Sequence, residues 1–136
     1  MANTTTDCET EERNKLPVGL HVRAHTFRAD APTDLGGDDS APGPHEYFDA
    51  ALASCKAITA MWYARKNGIA LERVETHIER DSSEEKNGKY VLKIRIAFHG
   101  DMLTDDDRKR LYGVASRCPI HKLMTTSDVI IETAPL

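Results

Sequence analysis

A long helix that is apolar on almost every side is the sequence feature that most constrains this fold. From Pro44 onward, large apolar residues recur at three- and four-residue steps, and alanines fill most of the positions between them. Proline suits the first turn of a helix, and Arg65, Lys66 and Gly68 supply the positive charge and the glycine that usually end one. Because an all-round apolar helix has to be covered on every side, we predict that this helix is buried.

Alternating apolar and polar residues predict two β-hairpins, one on each side of the long helix. Their strands are expected at residues 18–22, 26–28, 74–79 and 90–98, and the second hairpin turns at Asn87-Gly88. A second helix is predicted to begin at Thr104, with Asp107 three residues on in place of the usual glutamate of a capping box. A short helical turn is predicted to follow Cys118-Pro119, and a last strand to span residues 129–132. The order ββ-α-ββ-α-β predicts an α+β fold with antiparallel sheet and a long buried central helix.

Length and composition predict one soluble domain. The chain has 136 residues, a size that suits a single core, and we expect residues 1–15 to be a mobile polar tail and 16–136 the domain. The net charge of -4 and the lack of a long basic cluster argue against nucleic-acid binding. No apolar run approaches the roughly 20 residues of a membrane span, and no signal-peptide pattern is present. We therefore predict a cytoplasmic protein with neither a nucleic acid nor a membrane as partner.

The long apolar helix also predicts the oligomeric state. Five short strands offer too little surface to cover such a helix on every side. Burial against the same helix of a second copy would solve this, so we predict an intertwined homodimer.

The chain has three cysteines, which in a reducing compartment more often serve metal or redox chemistry than structural disulfides. Cys8 lies among acidic residues, which disfavour a thiolate, and is interpreted as incidental. Cys55 lies inside the apolar helix, where burial raises a thiol pKa, so it needs a nearby positive charge to react; a purely structural role is the alternative. Cys118 precedes Pro119, at a position where the N–H groups of a helix start favour a thiolate; a capping or packing role stays open.

Two carboxylates and one strand face are candidates for activating Cys55. Glu46, in the first turn of the helix, and Asp49 are candidates to hold an arginine over the thiol, although Glu46 also suits simple complementation of the helix dipole. Arg23 lies on the polar face of the first strand with two histidines and is a candidate for the cation, or else part of a solvated surface.

Cys118 and His121 form a Cys-x-x-His pair that resembles half of a zinc site. A tetrahedral zinc site needs four ligands, or three and a water, and no second paired motif supplies the others. We predict no bound metal and no organic cofactor.

The segments LGGDDSAPGPHEYFDAALASC, MWYARKNGIALERVE, SRCPIHKLM and the final VIIET together resemble the OsmC/Ohr family. The resemblance covers residues 18–133 and is strongest to the OsmC-like branch with a Cys-Pro-[Val/Ile]-His segment near its C-terminus. It implies an α+β intertwined homodimer with two long central helices between sheets.

The resemblance also implies an activity, the reduction of organic hydroperoxides. It makes Cys55 the peroxidatic thiol and Cys118 the resolving thiol, with a dithiol, a lipoylated protein or a small thiol as reductant. The family's activating glutamate and arginine are assigned to Glu46 and Arg23, with Arg13 and Arg28 as alternatives for the arginine.

A second hypothesis assigns the same cysteines to a protein that is not an enzyme. In it, the chain is a dimeric thiol module that senses oxidants or binds a small apolar ligand. It predicts oxidation of Cys55 and Cys118 without catalytic turnover.

Overall fold

The computed structural model describes residues 4–136, which form five strands and three α-helices. In chain order they are β1 (Asp7–Thr10), β2 (Val18–Val22), β3 (His25–Ala29), α1 (Pro44–Lys66), β4 (Arg73–Asp81), β5 (Val91–His99), α2 (Asp105–Ala115) and α3 (Pro119–Thr126). The contacts divide the chain into a first unit that ends at Phe48 and a second unit from Asp49 to Leu136. The α+β class with antiparallel sheets is confirmed.

The first unit contains a three-stranded antiparallel sheet in the order β1-β2-β3. The predicted hairpin is present as β2 and β3, in which Leu20 pairs with Phe27 across a two-residue turn. The strand β1 lies where the sequence predicted a mobile tail, and it pairs with β2 with Cys8 opposite Leu20. All four of its side chains are exposed, so no apolar alternation marks it; backbone hydrogen bonds to the free edge of β2 define it instead.

The loop between β3 and α1 is organised by the buried carboxylate of Asp30. It accepts hydrogen bonds from the N–H groups of Ala31, Asp38 and Ser40 and from the Ser40 hydroxyl. The backbone and side-chain hydrogen bonds, led by that from the Ser40 N–H, lower the pKa of Asp30 from its ordinary 3.8 to about 2. Gly37 is required here, since a Cβ at this position would lie 2.0 Å from the Ala31 carbonyl oxygen. The glycine-rich segment is therefore a tightly turned, ordered loop.

The second unit packs α1 and α2 against the β4–β5 hairpin. Its core is built from Ala60 and Ala64 of α1, Phe98 of β5, and Leu111 and Ala115 of α2. The small alanine side chains let α1 approach its neighbours closely, and none of these five residues is more than 4% exposed.

Two local signals position α2 and β4. Thr104 and Asp107 form the predicted capping box, in which each side chain accepts from the other residue's backbone N–H. The Thr76 hydroxyl of β4 donates to the carbonyl oxygen of Ala53 at 3.2 Å and ties the hairpin to α1.

The predicted all-round burial of the long helix is not seen in this chain. Along α1, Leu52, Lys56, Ala60 and Ala64 are buried, whereas Ile58 is 68% and Trp62 is 58% exposed. Within the second unit only one face of the helix is covered, because this unit offers a single hairpin and two short helices as cover.

The prediction of a last strand at residues 129–132 is wrong for the single chain. Residues 127–136 adopt neither helix nor strand, and the side chains of Val129, Ile130 and Ile131 are 63%, 83% and 82% exposed. A strand needs a backbone partner, and these residues pair with no other segment of residues 4–136.

Within residues 4–136, no helix has the length and hydropathy needed to cross a bilayer.

Candidate active site

The first thiol, Cys55, lies in the middle of α1 and is half-buried. Its Sγ accepts a hydrogen bond from the backbone N–H of Ile120 at 3.4 Å and lies 3.8 Å from the Thr59 hydroxyl oxygen. Ile120 belongs to the first turn of α3, where N–H groups have no partner within the helix. The Cys55 sulfur therefore occupies a position that favours negative charge.

The second thiol, Cys118, is the N-cap of α3, as the sequence predicted, with Pro119 as the first helical residue. Its Sγ accepts from the backbone N–H of His121 at 3.4 Å, and its side chain is 0% exposed. Two consecutive N–H groups of one helix, those of Ile120 and His121, thus donate to two different cysteine sulfurs. Both thiols belong to the second unit.

The two thiols influence each other. Burial raises the pKa of Cys118, and a hydrogen bond and charge from Cys55 raise it further. The N–H of His121 and the positive charge of Lys56 act in the opposite direction, although burial prevails. Burial therefore favours the protonated form of the Cys118 thiol.

Lys56 is a site residue that sequence reasoning missed. It is only 3% exposed, and its Nζ donates to the Ala115 carbonyl oxygen at 2.8 Å and contacts His121 Nδ1 at 3.2 Å. A signal was present in the sequence, because Lys56 is the only charged residue between Asp49 and Arg65. A lone charge in an apolar helix next to a cysteine is a reason to expect a buried polar contact.

Comparison with family models shows which family the chain belongs to. A family model described as OsmC-like protein matches residues 37–134, which include both cysteines and most of the chain. The chain belongs to the OsmC-like family. Among curated proteins, no relative matches it.

Solved structures of the OsmC-like fold superpose on nearly the whole chain. A Psychrobacter arcticus protein provisionally assigned to the osmotic stress and detoxification response has a TM-score of 0.75 at 21% identity, over 93% of this chain and 91% of its own. An OsmC-like protein of unknown function from Vibrio cholerae has a TM-score of 0.73 at 17% identity, over 93% and 96%. The organic hydroperoxide resistance protein OsmC from Legionella pneumophila has a TM-score of 0.64 at 20% identity, over 93% and 91%. At these identities the likeness shows the fold.

The two residues assigned to activate Cys55 in this OsmC-like protein lie in the first unit. Arg23 is exposed in the turn between β2 and β3, with a φ of 52°. The Glu46 carboxylate accepts from the backbone N–H of Gly43 at 2.9 Å and so closes the start of α1. Their assignment to catalysis stays a prediction.

The other candidates have partners of their own. The alternative arginine, Arg28, forms an ion pair with Glu11 at 2.8 Å. The alternative carboxylate, Asp49, forms an ion pair with Arg80 at 3.0 Å and accepts from the Tyr90 hydroxyl at 2.9 Å. These contacts tie α1 to the β4–β5 hairpin, and the assignment of Asp49 as a carboxylate that holds an arginine over Cys55 stays a prediction.

Cys118 and His121, which resemble half of a zinc site in the sequence, make hydrogen bonds within the protein. No group of three or more His, Cys, Asp or Glu side chains in residues 4–136 is placed to hold a metal ion. His121 instead directs Nδ1 at the Lys56 ammonium, and its backbone N–H at Cys118.

Proposed function

We propose that this OsmC-like protein reduces organic hydroperoxides, with Cys55 as the peroxidatic thiol and Cys118 as the resolving thiol. The observation that carries the proposal is the pair of neighbouring N–H groups, of Ile120 and His121, that donate to the two sulfurs. The Legionella structural neighbour, an organic hydroperoxide resistance protein, agrees with this activity.

The assignment of Cys55 as the attacking thiol rests on access and charge. Cys55 is half-buried and Cys118 fully buried, so a peroxide reaches the Cys55 sulfur first. The Ile120 N–H stabilises a Cys55 thiolate, whereas burial keeps the pKa of Cys118 raised.

In the first step, the Cys55 thiolate attacks the outer oxygen of the hydroperoxide. The O–O bond breaks, the alkoxide leaves and takes up a proton to become the alcohol, and Cys55 becomes a sulfenic acid. The Cys118 sulfur, once deprotonated, attacks Cys55 Sγ, so that an S–S bond forms, the S–O bond breaks and water is released.

A dithiol reductant then restores both thiols. Its first thiolate attacks the disulfide, and its second displaces the protein from the mixed disulfide, which leaves the reductant oxidised by two electrons. We propose a dithiol or a lipoylated protein for this role.

The test measures consumption of cumene hydroperoxide by the reduced protein in the presence of dihydrolipoamide. We expect turnover by the wild type, background rates in Cys55→Ser, and a single round of sulfenic acid formation in Cys118→Ser. Cys8→Ser is the matched control and should retain full activity, since Cys8 is exposed on β1. Equal slow rates for the wild type and Cys55→Ser would show that the proposal is wrong.

We retain Arg23 and Glu46 as the proposed activating cation and carboxylate. Arg23→Gln should then slow the first oxidation of Cys55 without affecting the second step. Stopped-flow measurement of thiol loss separates the two steps, and an unchanged first step would remove Arg23 from the mechanism.

We also propose that the protein is a homodimer. Exposed apolar side chains on α1, above all Ile58 and Trp62, support this, together with the exposed residues 129–131. Sedimentation should show a dimer for the wild type and a monomer for Trp62→Lys. A monomeric wild type at micromolar concentration would contradict the proposal.

Oxidant sensing is the second candidate function, and the same thiol pair supports it. A sensor forms the Cys55–Cys118 disulfide once and is not recycled by the dithiol. Stoichiometric peroxide loss with no turnover at excess dihydrolipoamide would favour it over the peroxidase.

A further inference from the structure

Lys56 is the buried charged group that the proposed mechanism does not use. Its side chain is only 3% exposed, and a buried ammonium is costly unless hydrogen bonds compensate it. Its Nζ donates to the Ala115 carbonyl oxygen at 2.8 Å and lies 3.2 Å from His121 Nδ1. An ammonium has three N–H groups, so these two contacts leave one donor for another group.

The two partners of Lys56 flank the resolving cysteine. Ala115 ends α2 three residues before Cys118, and His121 lies in the first turn of α3 three residues after it. The Lys56 ammonium therefore contacts the chain on both sides of Cys118, in the segment that connects α2 to α3.

We propose that Lys56 is a positioning residue that holds a positive charge beside Cys118 and so favours its thiolate whenever Cys118 exchanges with Cys55. The inference rests on the proposed thiol chemistry and assigns a cation to Cys118, the proposed resolving thiol. It is independent of the assignment of Arg23, which concerns Cys55.

A positive charge beside Cys118 would assist two steps of the proposed cycle, because Cys118 is a thiolate in both. Cys118 has to lose its proton before it attacks the sulfenic acid of Cys55. When the disulfide is reduced, the dithiol reaches only the half-buried Cys55 sulfur, because Cys118 is fully buried. The S–S bond then breaks with its electron pair on Cys118, which leaves as a thiolate.

The groups that act on Cys118 come from two helices. From α1, Cys55 and burial disfavour the thiolate, while the Lys56 charge favours it; from α3, the N–H of His121 also favours it. Removal of Lys56 therefore leaves one weak donor to compensate for burial, and the pKa of Cys118 should rise.

The side chain of His121 contacts the Lys56 ammonium. Because an ammonium only donates, a charged Lys56 requires His121 Nδ1 to act as the acceptor of their contact. His121→Ala should loosen the ammonium while leaving the backbone N–H to Cys118 in place.

The first test titrates Cys118 alone, without peroxide. In a Cys8→Ser/Cys55→Ser background, ultraviolet absorbance of the thiolate is followed against pH. We expect the titration to move to higher pH in Lys56→Met, less in His121→Ala, and to stay close to wild type in Lys56→Arg. The control is Lys66→Met, at the exposed end of the same helix, which should leave the titration unchanged.

An unchanged titration in Lys56→Met would overturn the inference. If Lys56→Met fails to fold, as judged by circular dichroism, His121→Ala carries the same test, and an unchanged titration there would overturn it equally.

The second test follows the exchange reaction in the chain with all three cysteines. The disulfide is formed with diamide and reduced with dithiothreitol. We expect dithiothreitol to reduce the Lys56→Met disulfide several-fold more slowly than the wild-type disulfide, because a leaving thiol with a higher pKa departs more slowly. Equal reduction rates would contradict the inference. Failure of the peroxidase proposal would give a different result. The wild type would then consume no hydroperoxide, while the Cys118 titration would still move in Lys56→Met.

Discussion

The backbone N–H of Ile120 donates to the Sγ of Cys55 at 3.4 Å, although 65 residues separate them in the sequence. The next N–H along the chain, that of His121, donates to Cys118. One helix start therefore stabilises negative charge on either sulfur, and whichever cysteine carries that charge remains beside the other. This arrangement suits a thiol pair that alternates between reduced and disulfide forms.

The first prediction concerns which cysteines pair. Mild oxidation with diamide should join Cys55 and Cys118 within one chain and leave Cys8 free, because only the first two share a helix start. Thiol titration should fall from three groups to one, and peptide mass mapping should locate the link. Disulfides that contain Cys8, or that join two chains, would show that the two sulfurs do not pair as proposed.

The second prediction concerns the Asp49 contact that ties α1 to the hairpin. Tyr90→Phe removes the hydroxyl that donates to Asp49 and should lower the free energy of unfolding by about 1 kcal/mol in urea titrations. The control is Arg95→Gln, since the Arg95–Glu79 pair is exposed at 74% and 62% and should contribute close to nothing. Equal effects of both variants would contradict a specific role for Tyr90.

The third prediction contrasts two glycines. Gly37→Ala should destabilise the protein strongly, because the new Cβ would lie 2.0 Å from the Ala31 carbonyl oxygen. Gly113→Ala, inside α2, meets only ordinary contacts at 3.7 Å and should stabilise by roughly 0.5–1 kcal/mol through helix propensity. Thermal unfolding should shift in opposite directions, and a tolerated Gly37→Ala would show that the loop opens freely.

The fourth prediction concerns acid. The pKa of Asp30 is lowered to about 2 by hydrogen bonds from Ser40 and its neighbours. A lowered carboxyl pKa contributes stability above the unfolded-state value and loses it as the pH falls towards the folded-state value, here between about pH 4 and pH 2. Asp30→Asn should thus be less stable than wild type at neutral pH, and the difference should shrink across that window. A constant difference from pH 7 to about pH 2 would rule out the carboxylate as its source.

The local signals in the sequence predicted most elements because each acts within one or two turns. Pro44 begins α1, Thr104 with Asp107 caps α2, and Cys118-Pro119 begins α3 as expected. The strand β1 and the fate of residues 129–132 were not predictable in this way. Strand pairing depends on which distant backbone edge is free, and an apolar run does not supply its own partner.

For the candidate site, the sequence by itself determined that Cys55 lies within α1 and that α3 begins at Cys118. Only the tertiary structure decided that the start of α3 also serves Cys55, and that Lys56 is buried with Ala115 and His121 as partners. The physical reason is the range of the interactions. A helix cap is encoded by neighbouring residues, whereas a lysine that bonds a carbonyl 59 residues away gains its environment only once the helices have packed.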